Sequence, residues 1–146
     1  YMMDEAGMTQ DEVMTQLNKH AGYEGVCGKS DSRDVEDGIK AGDEKCILAQ
    51  KMYVQRIANY IAMYNNELNG ADVIVLTAGV GENSKQTRLE IGEAIQSLGV
   101  KIDAEKNDFR GEFREISTDD SSIPVYVVPT NEELMIALDT YEIVNK

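Results

Sequence analysis

No apolar run in this 146-residue chain is long enough to cross a membrane. The opening, Tyr1-Met2-Met3-Asp4-Glu5, lacks the basic stretch and apolar run of a secretory signal. Basic residues are scarce: 14 Lys and Arg face 27 Asp and Glu, for a formal net charge of −13. A phosphate backbone needs clustered Lys and Arg, so this balance argues against nucleic acid as a partner. The same shortage obliges an anionic ligand to rely on backbone amides, an Arg or a divalent cation. Only two cysteines occur, Cys27 and Cys46, with no CxxC spacing. They read as reduced thiols of a cytoplasmic protein, with a disulfide between them left open. The single histidine, His20, stands near a predicted helix C-terminus, where a cation is welcome. No Ser-His-Asp set can be assembled around it, and no His/Cys cluster has zinc spacing.

The length fits one domain with a real core, and the apolar residues recur periodically, as in a folded chain. Tyr1 in place of an initiator Met leads us to expect that the sequence begins inside a longer protein. Thr9-Gln10-Asp11-Glu12 predicts a capping box and a helix that ends near His20 and Gly22. A glycine-spaced loop follows (Gly22, Gly25, Gly28), then a helix start at Ser30-Asp31-Ser32-Arg33-Asp34 with Asp31 or Ser32 as cap. Asp43 is expected to cap the longest helix, which runs to about Asn69 and stops at Gly70. Its stripe of Ile47, Val54, Ile57, Ile61, Tyr64 and Leu68, widened by Tyr53, Tyr60 and several Met, is expected to pack into the core. A further helix is predicted from Ser84 to about Leu98, closed by Gly99. Residues 100–123 are polar and irregular, with a short strand at Phe113–Ser117. Thr130 to Glu133 predicts a second capping box, opening a final helix whose Leu134, Ile136, Ala137, Leu138, Tyr141 and Ile143 are expected to be buried.

Two segments read as buried strands, Val73–Thr77 and Val125–Val128, with Pro124 at the first position or edge of the second. Strands alternating with helices predict an α/β layer architecture. Two long strands are few for a free-standing sheet, so further strands are expected upstream in a larger domain. Both strands feed helices. The first does so through Thr77-Ala78-Gly79-Val80-Gly81-Glu82-Asn83-Ser84, where glycines let a ligand approach the backbone. Strand, glycine turn and helix start together form a common nucleotide site. The third glycine of the dinucleotide fingerprint is missing, because position 84 is Ser84, and the Walker A ending is missing too. Read alone, the turn is equally a tight connection that binds nothing.

If the two strands are parallel, Gly79–Asn83 and Thr130–Glu133 share one rim of the sheet, with a glycine cradle beside an acid. In the predicted box Glu133 caps, while Glu132 stays free to reach a metal directly or through water. The competing reading has both acids merely offset the helix dipole. Arg33 is a candidate for a phosphate or base contact, against a solvated or salt-bridged helix start, and Asp31 reads simply as an N-cap.

Three of these segments, in order, resemble the acetate kinase family: Ser30 to Asp34, Ala71 to Ser84, and Pro129-Thr130-Asn131-Glu132-Glu133-Leu134. The resemblance extends over nearly the whole chain. It implies an RNase H-like (actin-like ATPase) domain, of which residues 1–146 form the C-terminal part of the second domain, without the N-terminal domain. It implies transfer of the γ-phosphoryl of ATP to acetate, giving acetyl phosphate and ADP, with Mg²⁺, by a cytoplasmic homodimer. By position, Asp31, Ser32 and Arg33 contact the nucleotide. Gly79, Val80, Gly81, Glu82 and Asn83 cradle adenosine, and Glu132 helps hold Mg²⁺. The family's catalytic His and Arg residues and its acyl pocket have no match here, so no catalytic residue is assigned and the isolated chain is expected to be inactive. A propionate or butyrate kinase, and a non-catalytic nucleotide-binding module, remain as alternatives.

Overall fold

The computed structural model describes residues 1–145. They divide into two compact units, Tyr1–Ile57 and a second beginning at Ala58, and the longest helix runs through the boundary.

In the first unit, helix α1 (Gln10–Lys19) starts at the predicted capping box. Thr9 Oγ1 accepts the Glu12 N–H, and the Glu12 carboxylate accepts the Thr9 N–H at 2.7 Å. The glycine-spaced segment that follows is not a loop. Gly22–Cys27 form a short helix, α2, closed by Gly28 in the left-handed region. Tyr23 anchors it: its hydroxyl donates to Gln50 Oε1 at 2.7 Å, and its ring lies 5.2 Å from that of Tyr53. One long-range aromatic anchor thus outweighs the low helix propensity of glycine. Helix α3 (Ser32–Lys40) is capped by Asp31, and α4 (Glu44–Glu67) by Asp43, whose Oδ1 accepts the Lys45 and Cys46 amides. Val35, Cys46, Ala49, Gln50 and Val54 are buried. Cys27 and Cys46 are free thiols, and burial above all pushes the Cys46 thiol up to about 11.

The expected stripe of α4 is core only in part. Val54 is buried and Ile47, Tyr53, Ile57 and Ile61 are half-buried, but Met52, Tyr60, Met63, Tyr64 and Leu68 are exposed, and the buried line otherwise follows Cys46, Ala49, Gln50 and Ala58. The period was legible, but burial also needs a covering element, and the larger side chains toward the end of the helix stay exposed. In the second unit α4 ends as predicted, with Asn69 at positive φ and the Gly70 N–H returning to Asn65 O.

A three-stranded sheet then forms in the order β1-β3-β2. Strand β1 (Ile74–Leu76) is shorter than Val73–Thr77 and buries one face only: Ile74 and Leu76 are inside, while Val73 and Val75 are exposed. It pairs in parallel with β3 (Val125–Val127), and β3 pairs antiparallel with β2 (Arg114–Glu115). Pro124 lies just before β3, its carbonyl taking the Ile74 N–H. Between the parallel strands run α5 (Ala78–Asn83), α6 (Lys85–Ala94) and a 3-10 turn (Gln96–Leu98). The helix expected over Ser84–Leu98 is therefore two pieces that part at Ile95, with Ser84 as its N-cap. Ile91, Ile95, Val100, Ile116, Ile123, Val125 and Val127 form the core, each worth about 1.5–3 kcal/mol when fully buried. Helix α7 (Glu132–Val144) buries no residue, contrary to its expected buried side; Leu134, Met135, Ile136, Leu138, Tyr141 and Ile143 are all exposed. Among the described residues no helix is long and apolar enough to cross a membrane.

Candidate functional site

Parallel pairing sends the chain out of β1 and β3 at the same end of the sheet, because Leu76 is opposite Val127. Thr77 and Val128 follow, and Thr77 Oγ1 donates to Val128 O at 2.7 Å. Thr130 then closes the gap between the two exits. Its N–H and its hydroxyl both donate to Glu82 Oε1, at 2.8 and 2.5 Å, and its oxygen accepts the Ala78 N–H at 3.0 Å. With both threonine protons so used, the 3.1 Å approach of Thr77 Oγ1 to Thr130 Oγ1 is a contact and not a further hydrogen bond. These donors hold the Glu82 carboxyl below its usual range, the Thr130 hydroxyl first. The two strand exits are thus clasped by residues 48 and more positions apart.

Glycine is present in this junction for two different reasons. The segment predicted as a glycine turn is itself a helical turn, α5, opened by Ala78 at φ 62°. At Gly81 a Cβ would lie 3.1 Å from the main-chain carbon of Leu76, so the absent side chain lets α5 pack on the strand it follows. At Gly79 a Cβ would meet nothing within 4 Å. Open space over a bare backbone leaves room for a ligand there. Asn83, next along, turns its amide back to Gly79 O at 2.9 Å and accepts Arg110 Nε at 3.1 Å.

Arg88 lies beneath α5 and was not singled out by the sequence reading. It is fully buried, and its five hydrogen bonds run to Gly81 O, Glu82 O, Asn107 Oδ1, Asn107 O and Phe109 O at 2.6–3.1 Å. Burial pulls its pKa below the ordinary arginine value. A signal existed: Arg88 precedes Ile91 by three and Ile95 by seven, which puts it on the apolar face of α6.

The second capping box did not form as expected. Thr130 is drawn to Glu82 and Ala78, and Asn131 caps α7 instead, its Oδ1 accepting the Leu134 N–H. The frame shifts by one, so Glu132 and Glu133 are the first two helical residues and neither caps. The Glu132 side chain is exposed and makes no hydrogen bond or ion pair with another described residue. Both acids favour the positive end of the helix. Among the described residues no group of three or more His, Cys, Asp or Glu is disposed to hold a metal.

The first unit presents a different arrangement. Asp31 caps α3 through the Arg33 N–H at 2.9 Å and also takes Arg33 Nε and Nη2, at 3.0 and 2.6 Å. The Arg33 side-chain bonds, above all, lower the Asp31 carboxyl to about 2. Ser32 is the first residue of α3. All three predicted residues are therefore together at one helix start, with Asp31 and Arg33 bound to each other.

Residues 1–138 match the model of the acetokinase family. The chain belongs to that family. It is 49% identical over its whole length to an acetate kinase of Phocaeicola vulgatus, of which it spans 37%. Solved acetokinase-family neighbours agree: the acetate kinase of Porphyromonas gingivalis superposes with a TM-score of 0.86 at 40% identity, over 98% of this chain and 36% of that one. A propionate kinase of Francisella tularensis superposes at 0.85 and 36% identity, over 94% and 35%. The mixed helix and sheet arrangement is that of the actin-like ATPase fold, as the family resemblance implied. This member of the acetokinase family spans little more than a third of the curated relatives it matches.

Proposed function

We propose that this chain forms the nucleotide-binding wall of an acetate kinase, which transfers the γ-phosphoryl of ATP to acetate and releases acetyl phosphate and ADP. The observation that carries the reading is the Glu82–Thr130 clasp, which holds an open glycine backbone and a free acid at one end of a parallel sheet. Ligands of such sheets bind beyond the strand carboxyl ends. In this reading Gly79, Val80, Gly81 and Asn83 line the adenosine through backbone and side-chain contacts. Glu82 acts through its carboxylate on Thr130, while its main-chain carbonyl is held from below by Arg88 and the Gly111 N–H. Asp31, Ser32 and Arg33 of the first unit are nucleotide contacts to be tested on their own. Their mutual pairing means a phosphate or base must compete with Asp31 for the Arg33 guanidinium.

Magnesium fits this donor set in one way. A Mg²⁺ ion commonly takes one or two carboxylates, with substrate phosphates and water supplying the rest. Among the described residues at the junction, Glu132 and Glu133 are both unengaged, and by position in the family resemblance Glu132 would hold the ion, directly or through water. A bound ion would supply neutralisation of the nucleotide's phosphate charge. Phosphoryl transfer depends on positioning and charge neutralisation, and this chain's contribution is to orient the nucleotide and keep its adenosine end fixed. The groups that stabilise the transferring phosphoryl belong to the remainder of the enzyme. We read the chain as the C-terminal part of its second domain, in a cytoplasmic homodimer, and expect no turnover from the 146 residues alone. Propionate is the second substrate to consider, because a propionate kinase superposes almost as well as an acetate kinase.

Gly79→Val in the full-length enzyme tests the reading. The new side chain enters open space, so the fold is expected to persist. The KM for ATP is expected to rise about tenfold or more, equivalent to about 1.4 kcal/mol of lost binding. An unchanged KM for ATP in the folded variant would remove the cradle assignment.

A further inference from the structure

We propose that Arg88 is a positioning residue for the nucleotide cradle, an inference that rests on reading Gly79–Asn83 as that cradle. All of its hydrogen bonds run to neutral oxygens, and no carboxylate is among its partners. Ion pairing therefore does not explain why a guanidinium is fully buried. Its partners share a place instead. The Gly81 and Glu82 carbonyls end α5, and such carbonyls lack partners within their own helix. The other partners, Asn107 and Phe109, belong to the segment that grips α5 from a second direction. That segment also gives the Gly111 N–H to Glu82 O at 3.2 Å and Arg110 Nε to Asn83 Oδ1 at 3.1 Å. Phe109 holds two guanidinium groups against its ring, those of Arg88 at 4.7 Å and Arg114 at 4.5 Å.

Arg88 is thus the common tie between the end of α5 and residues 107–111. Its planar fork reaches two α5 carbonyls with one nitrogen while the other nitrogens hold Asn107 and Phe109. A lysine brings charge but has one nitrogen and no fork, so it cannot span these oxygens together. Release of the tie leaves α5 held by Thr130, the Gly81 contact and the more exposed Gly111 and Arg110 bonds, and the backbone facing a nucleotide loses part of its fixed position.

The test uses the full-length enzyme with Arg88→Lys and the milder Asn107→Ser, which leaves Arg88 in place and removes the Oδ1 acceptor. For Arg88→Lys the KM for ATP is expected to rise about tenfold, as loss of a fixed binding geometry gives, with the KM for acetate unchanged. Asn107→Ser is expected to move the same constant about threefold in the same direction. A merely structural role would lower the melting temperature and leave the KM for ATP of the folded protein as it was, or move both KM values together. Either result overturns the proposal. If Arg88→Lys does not fold, Asn107→Ser decides. Gly79→Val separates the underlying reading. Should Gly79→Val spare ATP binding, the cradle itself is wrong; should it weaken ATP binding while Arg88→Lys and Asn107→Ser do not, only the role of Arg88 falls.

Discussion

The helix start at Asp31–Arg33 and the junction at Ala78–Thr130 both carry the residue types of a nucleotide site, yet they are built differently. At the first, every bond joins residues within two positions of one another, and the Arg33 side chain stays largely in water. At the second, the bonds cross 48 to 52 positions and exist only once β1 and β3 have paired. The first is an exposed local cap whose parts can separate to meet a ligand. The second is a pre-set surface whose geometry depends on the core beneath it.

Disrupting the second region from below is expected to have the largest effect. Arg88→Met strips five hydrogen bonds from buried or half-buried oxygens and is expected to cost about 3 kcal/mol of unfolding free energy, read from the urea midpoint. Thr130→Val is next, at about 1 kcal/mol once solvent screening of the half-exposed Glu82 is allowed for. That variant also has a pH signature. The Glu82 carboxyl titrates below its usual range in the folded protein, so its contribution to stability is present above the ordinary glutamate value and is lost as pH falls through the lowered one. In Thr130→Val an NMR titration of the side-chain carboxyl is expected to find Glu82 raised toward the ordinary range, with the main-chain N–H at position 130 still holding it below that range.

The opposite sign is expected at Ala78, which holds a left-handed backbone at φ 62°. Ala78→Gly relieves that conformation and is expected to stabilise the fold by up to about 1 kcal/mol in thermal melts. In the first region Arg33→Ala is expected to leave the unfolding midpoint unchanged while the Asp31 carboxyl rises from about 2 toward its ordinary value. In the parent protein the contribution of Asp31 is present above the ordinary aspartate range and is lost as pH falls toward about 2. An Arg33→Ala variant that melts much earlier would erase the distinction between the two regions.

What could be read from the sequence follows the same division. Local signals were legible: the Thr9–Glu12 box, the Asp31 and Asp43 caps and the Gly70 stop all depend on neighbours within a few positions. The parallel rim could be stated as a condition, because strand order and the turns that follow carry it. Thr130 was misassigned because a capping box scores only the next three residues, while its partners Glu82 and Ala78 lie far upstream. Arg88 was passed over for a related reason: the α6 period marks its face as buried, but its oxygens come from residues 81–82 and 107–109, which no local pattern links. The expected buried side of α7 was correct as a period and wrong as core, and the α4 stripe was core only at Val54 and half-buried at its Ile positions, since a period names a face and not what covers it.

Amide hydrogen exchange of the full-length enzyme, with and without ATP, tests the central claim most directly. The account predicts that ATP slows exchange over residues 78–83 and around 130–134, the two strand exits clasped by Glu82 and Thr130. Slowed exchange elsewhere in the enzyme, with both of these stretches unchanged, would contradict it.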